Sequence, residues 1–242
     1  MLFALKKWMD SMRIPWMVCG GTAIDLFIGE QTRPHKDVDV AVFWENREQI
    51  IGEFLDRGWR IFEPDHGLLR EITSFEEDMR VEDNLWCLHP TMDSYLISNQ
   101  YENYYSITTE RENQDVLDYI EVLFNQEKDG EFLYKRNPGI TLKSYICYND
   151  SGIPYLAREM VLLYKSTFIR LLQRPKYMEM VNNYRHDFQV VLERLSFQQQ
   201  KWLRDALRKN IRKDTNELHS WKLFSKSERK LYMRKMLLFI VA

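Results

Sequence analysis

Two glycines and two aspartates are the first places where this chain could do chemistry. Gly20-Gly21 follows the apolar run Trp16-Met17-Val18 and precedes an amphipathic segment carrying Ile24, Phe27 and Ile28. That pattern predicts a strand running into a helix, with the glycines at the junction. Glycine lets backbone come close to a ligand, and the free N–H groups and positive end of a helix favour phosphate. Asp37 and Asp39 lie two apart in a segment where Val38, Val40 and Val42 alternate as in a strand. Residues two apart on a strand share a face. Two carboxylates that close repel unless a cation sits between them. Mg²⁺ is the natural occupant, because it takes carboxylate and phosphate oxygens together. Such a site can hold a triphosphate and neutralise charge at phosphorus. Each motif alone has a plainer reading. A Gly-Gly is often just a tight turn, and Asp-Val-Asp can be a solvent-facing strand edge.

Read as one string, the residues carry more. Gly20-Gly21-Thr22-Ala23-Ile24-Asp25 through Gly29, then Thr32-Arg33-Pro34-His35-Lys36-Asp37-Val38-Asp39, resembles the signature of the nucleotidyltransferase superfamily with the polymerase-beta-like fold. It looks specifically like the small bacterial antibiotic nucleotidyltransferases, which include aminoglycoside 2″-adenylyltransferases and lincosamide nucleotidyltransferases. Weaker likeness continues at Gly58-Trp59, His66-Gly67 and Leu85-Trp86, and again from Gly152 to Leu156. It returns at Glu159, Leu162 to Lys165, Arg174-Pro175-Lys176 and His186-Asp187-Phe188.

The resemblance implies transfer of a nucleoside monophosphate from a nucleoside triphosphate to a hydroxyl, with pyrophosphate leaving. Asp37 and Asp39 would bind Mg²⁺. Gly20 and Gly21, with the Thr22 hydroxyl, would hold the β- and γ-phosphates. Lys165 would reach the triphosphate, the alternative being a helix-surface lysine. Arg33, His35 and Lys36 are candidate nucleotide or substrate contacts, or else a solvated loop. The family's site is completed by a third carboxylate on a later strand, as metal ligand or as the base for the hydroxyl proton. Here Asp118 and Glu121 are the candidates, and strand alternation puts them on opposite faces. An acid between Ile120 and Val122 needs a polar or metal partner, which favours Glu121. Asp118 stays as the alternative.

These residues need a frame. The expected fold is α+β: a nucleotidyltransferase-type mixed sheet with flanking helices over residues 1–150, then a helical C-terminal domain over 151–242. Strands are expected near 38–42, 59–62, 68–72, 85–88 and 116–124. The last should turn at Lys128-Asp129-Gly130 into a returning strand, Phe132 to Lys135. Asn46 to Leu55 reads as a helix ended near Gly58. The cluster Tyr148 to Pro154 marks the domain boundary. Helices are expected over 155–172 and 177–194. Ser196 with Gln199, and Ser225 with Glu228, are capping boxes opening two more.

Composition excludes other classes. At 242 residues, with 45% hydrophobic and 14% aromatic content, the chain can bury a core and is not a disordered tail. Its longest apolar run, Leu237 to Ala242, is far too short for a membrane span. At the N-terminus the charges follow the apolar residues, the reverse of a secretory leader. A soluble, cytoplasmic protein is expected. Three scattered cysteines make neither a disulfide framework nor a zinc site. A net charge of −2 makes nucleic acid a poor general partner. The charge is uneven, though, since residues from Lys201 onward hold twelve basic and four acidic side chains. The expected partners are a nucleoside triphosphate and a small hydroxylated acceptor, a cationic antibiotic being well suited to an acidic surface. Two alternatives share the fold. One is a toxin-type transferase acting on protein or RNA through the basic end. The other is a non-catalytic nucleotide-binding module. The apolar tail also suggests a homodimer or a buried terminal helix. Tyr101, Tyr104 and Tyr105 suggest either a lid or the edge of the core.

Overall fold

In the computed structural model the described residues are 1–35, 37–75, 84–108, 117–166 and 177–217; for 211–217 only the helical backbone is described. The elements run α1 (Leu2–Ser11), β1 (Trp16–Val18), α2 (Gly20–Ile28), β2 (Val38–Phe43), α3 (Arg47–Asp56), β3 (Arg60–Asp65), β4 (Leu68–Ile72) and β5 (Asn84–Leu88). They continue with β6 (Leu96–Ser98), β7 (Tyr104–Ile107), β8 (Tyr119–Lys128), β9 (Glu131–Leu133), β10 (Thr141–Leu142), β11 (Ile146–Tyr148) and β12 (Pro154–Leu156). Three helices close the order: α4 (Arg158–Lys165), α5 (Met178–Leu192) and α6 (Phe197–Glu217). Contacts divide the chain into two units, Met1–Phe132 with Ile146–Leu156, and Leu133–Tyr145 with Ala157–Ala242. Residue 150, the expected boundary, falls between β11 and β12, which both belong to the first unit.

The first unit is built on a mixed sheet in the order β11-β12-β1-β2-β8-β5-β3-β4-β7-β6. β2 lies at its middle, antiparallel to β1 and parallel to β8. Val38, Val40, Ala41, Val42 and Phe43 are all buried, as a strand covered on both faces requires. Asp39 is the polar exception within it. On α1, Leu5, Trp8 and Met9 repeat at helical spacing and are buried, and Met12 just past its end is buried too. Trp8 meets Phe54 of α3 at 4.6 Å and Trp59 at 5.0 Å, and those two rings meet at 5.4 Å. This aromatic cluster fixes α1 and α3 together.

The expected helix over 155–172 is corrected at its start. Pro154-Tyr155-Leu156 is a buried strand, parallel to β1 at Val18 and antiparallel to β11 at Cys147. Three apolar residues beside a helical pattern read as its first turn, and only pairing from distant chain tells them apart. The helix begins at Arg158. The expected strand from Val116 begins, in the described residues, at Tyr119. Tyr104 and Tyr105 form part of β7, paired with β4 at Arg70 and Leu69.

In the second unit, α4 packs on both α5 and α6. Met160, Leu162, Leu163, Val181, Phe188, Val191, Leu203 and Leu207 are buried. The Ser196–Gln199 capping box is formed. Gln199 N–H donates to Ser196 Oγ at 3.3 Å, and Ser196 N–H to Gln199 Oε1 at 2.9 Å. The Ser225–Glu228 box, the 237–242 tail, Lys36 and residues 174–176 lie outside the described residues. Among the described residues no helix is long and apolar enough to cross a membrane.

Candidate active site

The β1–α2 junction is tied to β2. Cys19 N–H donates to the Asp39 carbonyl at 2.9 Å. This sets Gly20 directly over the Asp39 side chain. Gly20 has φ +65°, and a Cβ there would lie 1.7 Å from Asp39 Oδ2. Backbone conformation and space therefore both demand glycine. Cys19 offers no capping oxygen at the N-terminus of α2, where Ser, Thr, Asp or Asn would ordinarily stand. A Cβ at Gly21 would lie 2.4 Å from the Arg33 guanidinium and 2.5 Å from His35 Cε1. Both side chains thus cover the second glycine. Thr22 is buried one residue on.

The loop that carries Arg33 and His35 is held from α2. Asp25 Oδ1 accepts from the Thr32 backbone N–H at 2.9 Å and the Thr32 hydroxyl at 2.7 Å. Its Oδ2 pairs with His35 Nε2 at 2.6 Å. Burial pushes the Asp25 carboxyl up, but the bonds from His35 and Thr32 outweigh it and leave the group below its ordinary value.

The acids come from two parallel neighbours. Asp39 on β2 stands opposite Glu121 on β8, and Asp37 immediately precedes β2. Oxygens of Asp37, Asp39 and Glu121 lie within 4.8 Å of one another. Among the described residues this is the one cluster of three His, Cys, Asp or Glu side chains that could share an ion. Three converging carboxylates offer the hard oxygen donors that suit Mg²⁺. Glu121 is held above its ordinary value, first by burial and then by the Asp37 charge. Asn84 at the start of β5 donates its amide N–H to Glu121 Oε1, which partly offsets that rise. Trp86 stands opposite Glu121 across the β5–β8 pair. Its indole N–H makes no formed hydrogen bond, yet it lies close enough to favour the charged carboxylate. Burial, then the charges of Glu121, Asp37 and Asp39, hold the Tyr119 phenol well above its usual range.

So the structure brings Gly20, Gly21, Arg33, Asp37, Asp39 and Glu121 together. Asp118 stands apart from the cluster; it precedes β8, and its carbonyl accepts from His89 N–H at 2.8 Å. Lys165 lies in the second unit. It is buried, paired with Asp187 at 2.7 Å, with its ammonium 4.6 Å from the centre of the Tyr184 ring. Two neighbours of the site carried no role in the sequence reading. Asp25 was visible as the acid of Gly-Gly-x-x-x-Asp. Asn84 gave no local signal, because only the β5–β8 pairing brings it to Glu121.

A strand–Gly-Gly–helix turn poised over an Asp-x-Asp strand, with a third carboxylate from the parallel neighbour, is the arrangement that the sequence resemblance implies. Residues 1–78 match the family profile described as aminoglycoside-2″-adenylyltransferase. That stretch holds both glycines and both aspartates, while Glu121 lies beyond it. No curated protein sequence matches the chain. Two solved structures of the antibiotic-resistance factor ANT(2″)-Ia share the fold. The solution structure aligns at TM-score 0.52 and 14% identity, over 90% of this chain and 97% of its own. The crystal structure with adenylyl-2″-tobramycin aligns at TM-score 0.51 and 14% identity, over 87% and 98%. The lincomycin-bound lincosamide antibiotic adenylyltransferase LnuA aligns more loosely, at TM-score 0.46 and 17% identity over 76% and 93%. Over residues 1–78 the chain is similar to the aminoglycoside-2″-adenylyltransferase family, and it shares the fold of ANT(2″)-Ia.

Proposed function

We propose that this chain is an Mg²⁺-dependent nucleotidyltransferase, moving a nucleoside monophosphate from a triphosphate, ATP first, to a hydroxyl of a small antibiotic of the aminoglycoside or lincosamide kind. The observation that carries this reading is the convergence of Asp37, Asp39 and Glu121 beneath Gly20. Supporting it are the family profile over residues 1–78 and the fold shared with ANT(2″)-Ia, whose crystal structure holds an adenylylated tobramycin.

Asp37 and Asp39 are the residues that would hold Mg²⁺, and the ion would supply neutralisation of the triphosphate charge. Gly20 and Gly21 offer backbone N–H groups to the phosphates, with Thr22 and Arg33 alongside. Glu121 takes the proton of the acceptor hydroxyl. The acceptor oxygen then bonds to the α-phosphorus, and the bond from that phosphorus to the pyrophosphate oxygen breaks. Glu121 suits that task by position, since it faces Asp39 from the parallel neighbour and is held by the Asn84 amide. Lys165 belongs to the nucleotide-binding set only by resemblance, and its pairing with Asp187 supports a structural part instead. The reading takes the sheet-bearing unit, Met1–Phe132 with Ile146–Leu156, as the transferase domain in place of the expected 1–150, the helices that follow Leu156 as a second domain in place of 151–242, and the cytoplasm as the site of action.

The test is pyrophosphate release by the full chain with Mg²⁺ and each of four nucleoside triphosphates, against a panel of aminoglycosides and lincosamides. Release should depend on one acceptor class and vanish in Asp37→Asn/Asp39→Asn. Nucleotide binding without release across the panel would move the reading to a macromolecular acceptor or to a binding module.

A further inference from the structure

The spacing of Gly21 and Asp25 has a geometric meaning. Residues four apart on a helix stack on one face, one turn above the other. Asp25 therefore sits one turn below the glycine that is covered by Arg33 and His35. Both of its oxygens are used. One takes two bonds from Thr32 and the other takes His35 Nε2. The Asp25 and His35 side chains are only 13% and 10% exposed. A largely buried carboxylate with three hydrogen bonds of 2.6–2.9 Å, all to one loop, is an anchor for that loop. What the anchor places is plain from the other end. His35 and Arg33 lie within contact of Gly21, on the side where a Cβ would be.

We infer that Asp25 is a positioning residue for triphosphate binding: from the first turns of α2 it holds the 32–35 loop so that Arg33 and His35 stand over the Gly20-Gly21 backbone. The inference rests on the nucleotide-binding reading of the same site and adds to it. The string Gly-Gly-x-x-x-Asp … Thr-Arg-x-His becomes one mechanical unit. The helix provides the phosphate-facing N–H groups, its fourth residue on grips the loop, and the loop returns two side chains to the top of the helix. Asp25 touches no reacting atom. It acts on affinity for the triphosphate, not on the chemical step.

Substitutions separate the parts. Asp25→Ala removes all three bonds. Asp25→Asn keeps an oxygen for Thr32 but turns an N–H donor towards His35, so it must force the other imidazole tautomer or lose the contact. Thr32→Val removes one bond and leaves the dyad.

The experiment measures the Kd of the full chain for Mg-ATP, the KM and kcat for the same nucleotide, and the melting temperature. Asp25→Ala should weaken Mg-ATP binding and raise KM tenfold or more, with kcat falling much less. Asp25→Asn should lie between Asp25→Ala and Thr32→Val. Asp25→Ala/His35→Ala should bind no worse than the weaker single variant, because one acts through the other. Parent-like Kd and KM in Asp25→Ala, with only a lower melting temperature or active fraction, would overturn the inference while leaving the transferase reading intact. Fully additive losses in the double variant would overturn it too. If Asp25→Ala does not fold, Asp25→Asn and Thr32→Val decide on the same readouts. A parent chain that binds no Mg-ATP removes the transferase reading, and this inference with it.

Discussion

Both units of the molecule bury charge, and they do so in opposite ways. In the second unit, Lys165 meets Asp187 at 2.7 Å, ammonium against carboxylate, with Tyr184 beneath the cation. In the first, Asp37, Asp39 and Glu121 converge carboxylate on carboxylate. A complementary pair completes itself and serves the architecture. Convergent like charge raises its own energy, and the Asp37 charge adds to the burial that already holds the Glu121 carboxyl up. The lesson is that burial of charge alone does not mark a functional site, whereas convergence of one sign of charge beneath the Gly20-Gly21 turn marks a candidate one.

The comparison breaks first at its two centres. Asp39→Asn should cut turnover by roughly 10²–10⁴-fold, yet leave the denaturation midpoint equal to or above that of the parent. Lys165→Ala should do the reverse and cost about 3–5 kcal/mol of stability, because it leaves Asp187 buried without its ammonium. Urea titration and steady-state rates on both variants check the pair. If Lys165→Ala instead folds normally and raises KM for the triphosphate, Lys165 belongs to the nucleotide site after all.

Gly20→Ala comes next. A left-handed alanine costs about 1–2 kcal/mol, and its Cβ would collide with Asp39 Oδ2. Activity should fall further than that stability loss accounts for, since the displaced carboxylate belongs to the acid cluster. Rates corrected for folded fraction test this.

Asn84→Ala sharpens the picture of Glu121. Removing a donor that favours the charged carboxylate should raise the group further. Turnover should fall as well, since Glu121 loses the amide that holds it in place, and steady-state rates corrected for folded fraction measure the loss.

The smallest effect is expected at Glu159, an acid of the second unit held above its ordinary 4.5 by burial. Its folded-state value exceeds its unfolded one, so its contribution to stability is full below about 4.5 and is lost as pH rises through the folded value. Glu159→Gln can keep an acceptor for Gln199 and does not ionise. It should match the parent near pH 4 and exceed it, within about 1 kcal/mol, at pH 7. Melting temperatures at the two pH values measure it.

Much of the first unit was legible because its signals are local. The valines of β2, the run Leu68–Ile72 and the apolar face of α3 each declare a period within a few residues. The Ser196–Gln199 box is likewise a four-residue pattern. Glycine and aspartate at fixed offsets exposed the core of the site. What escaped depends on chain far away. Tyr155 is a strand residue because β1 lies beside it, and Asn84 reaches Glu121 only across two paired strands. Asp25 escaped differently. Its letter was part of the motif, but its work shows only when the loop it grips has been folded back.

The pairing of β2 with β8 also bears on how the protein comes into being. Asp39 and Glu121 meet only after the intervening chain, with α3 and β3 to β7, has been looped out between them. Closing so long a loop is an entropic cost met late, once many other contacts reward it. A partly made chain therefore carries its aspartates without their third partner. Affinity for a divalent ion should then appear as a late event in refolding, and an ion-binding signal would report completion of the central sheet.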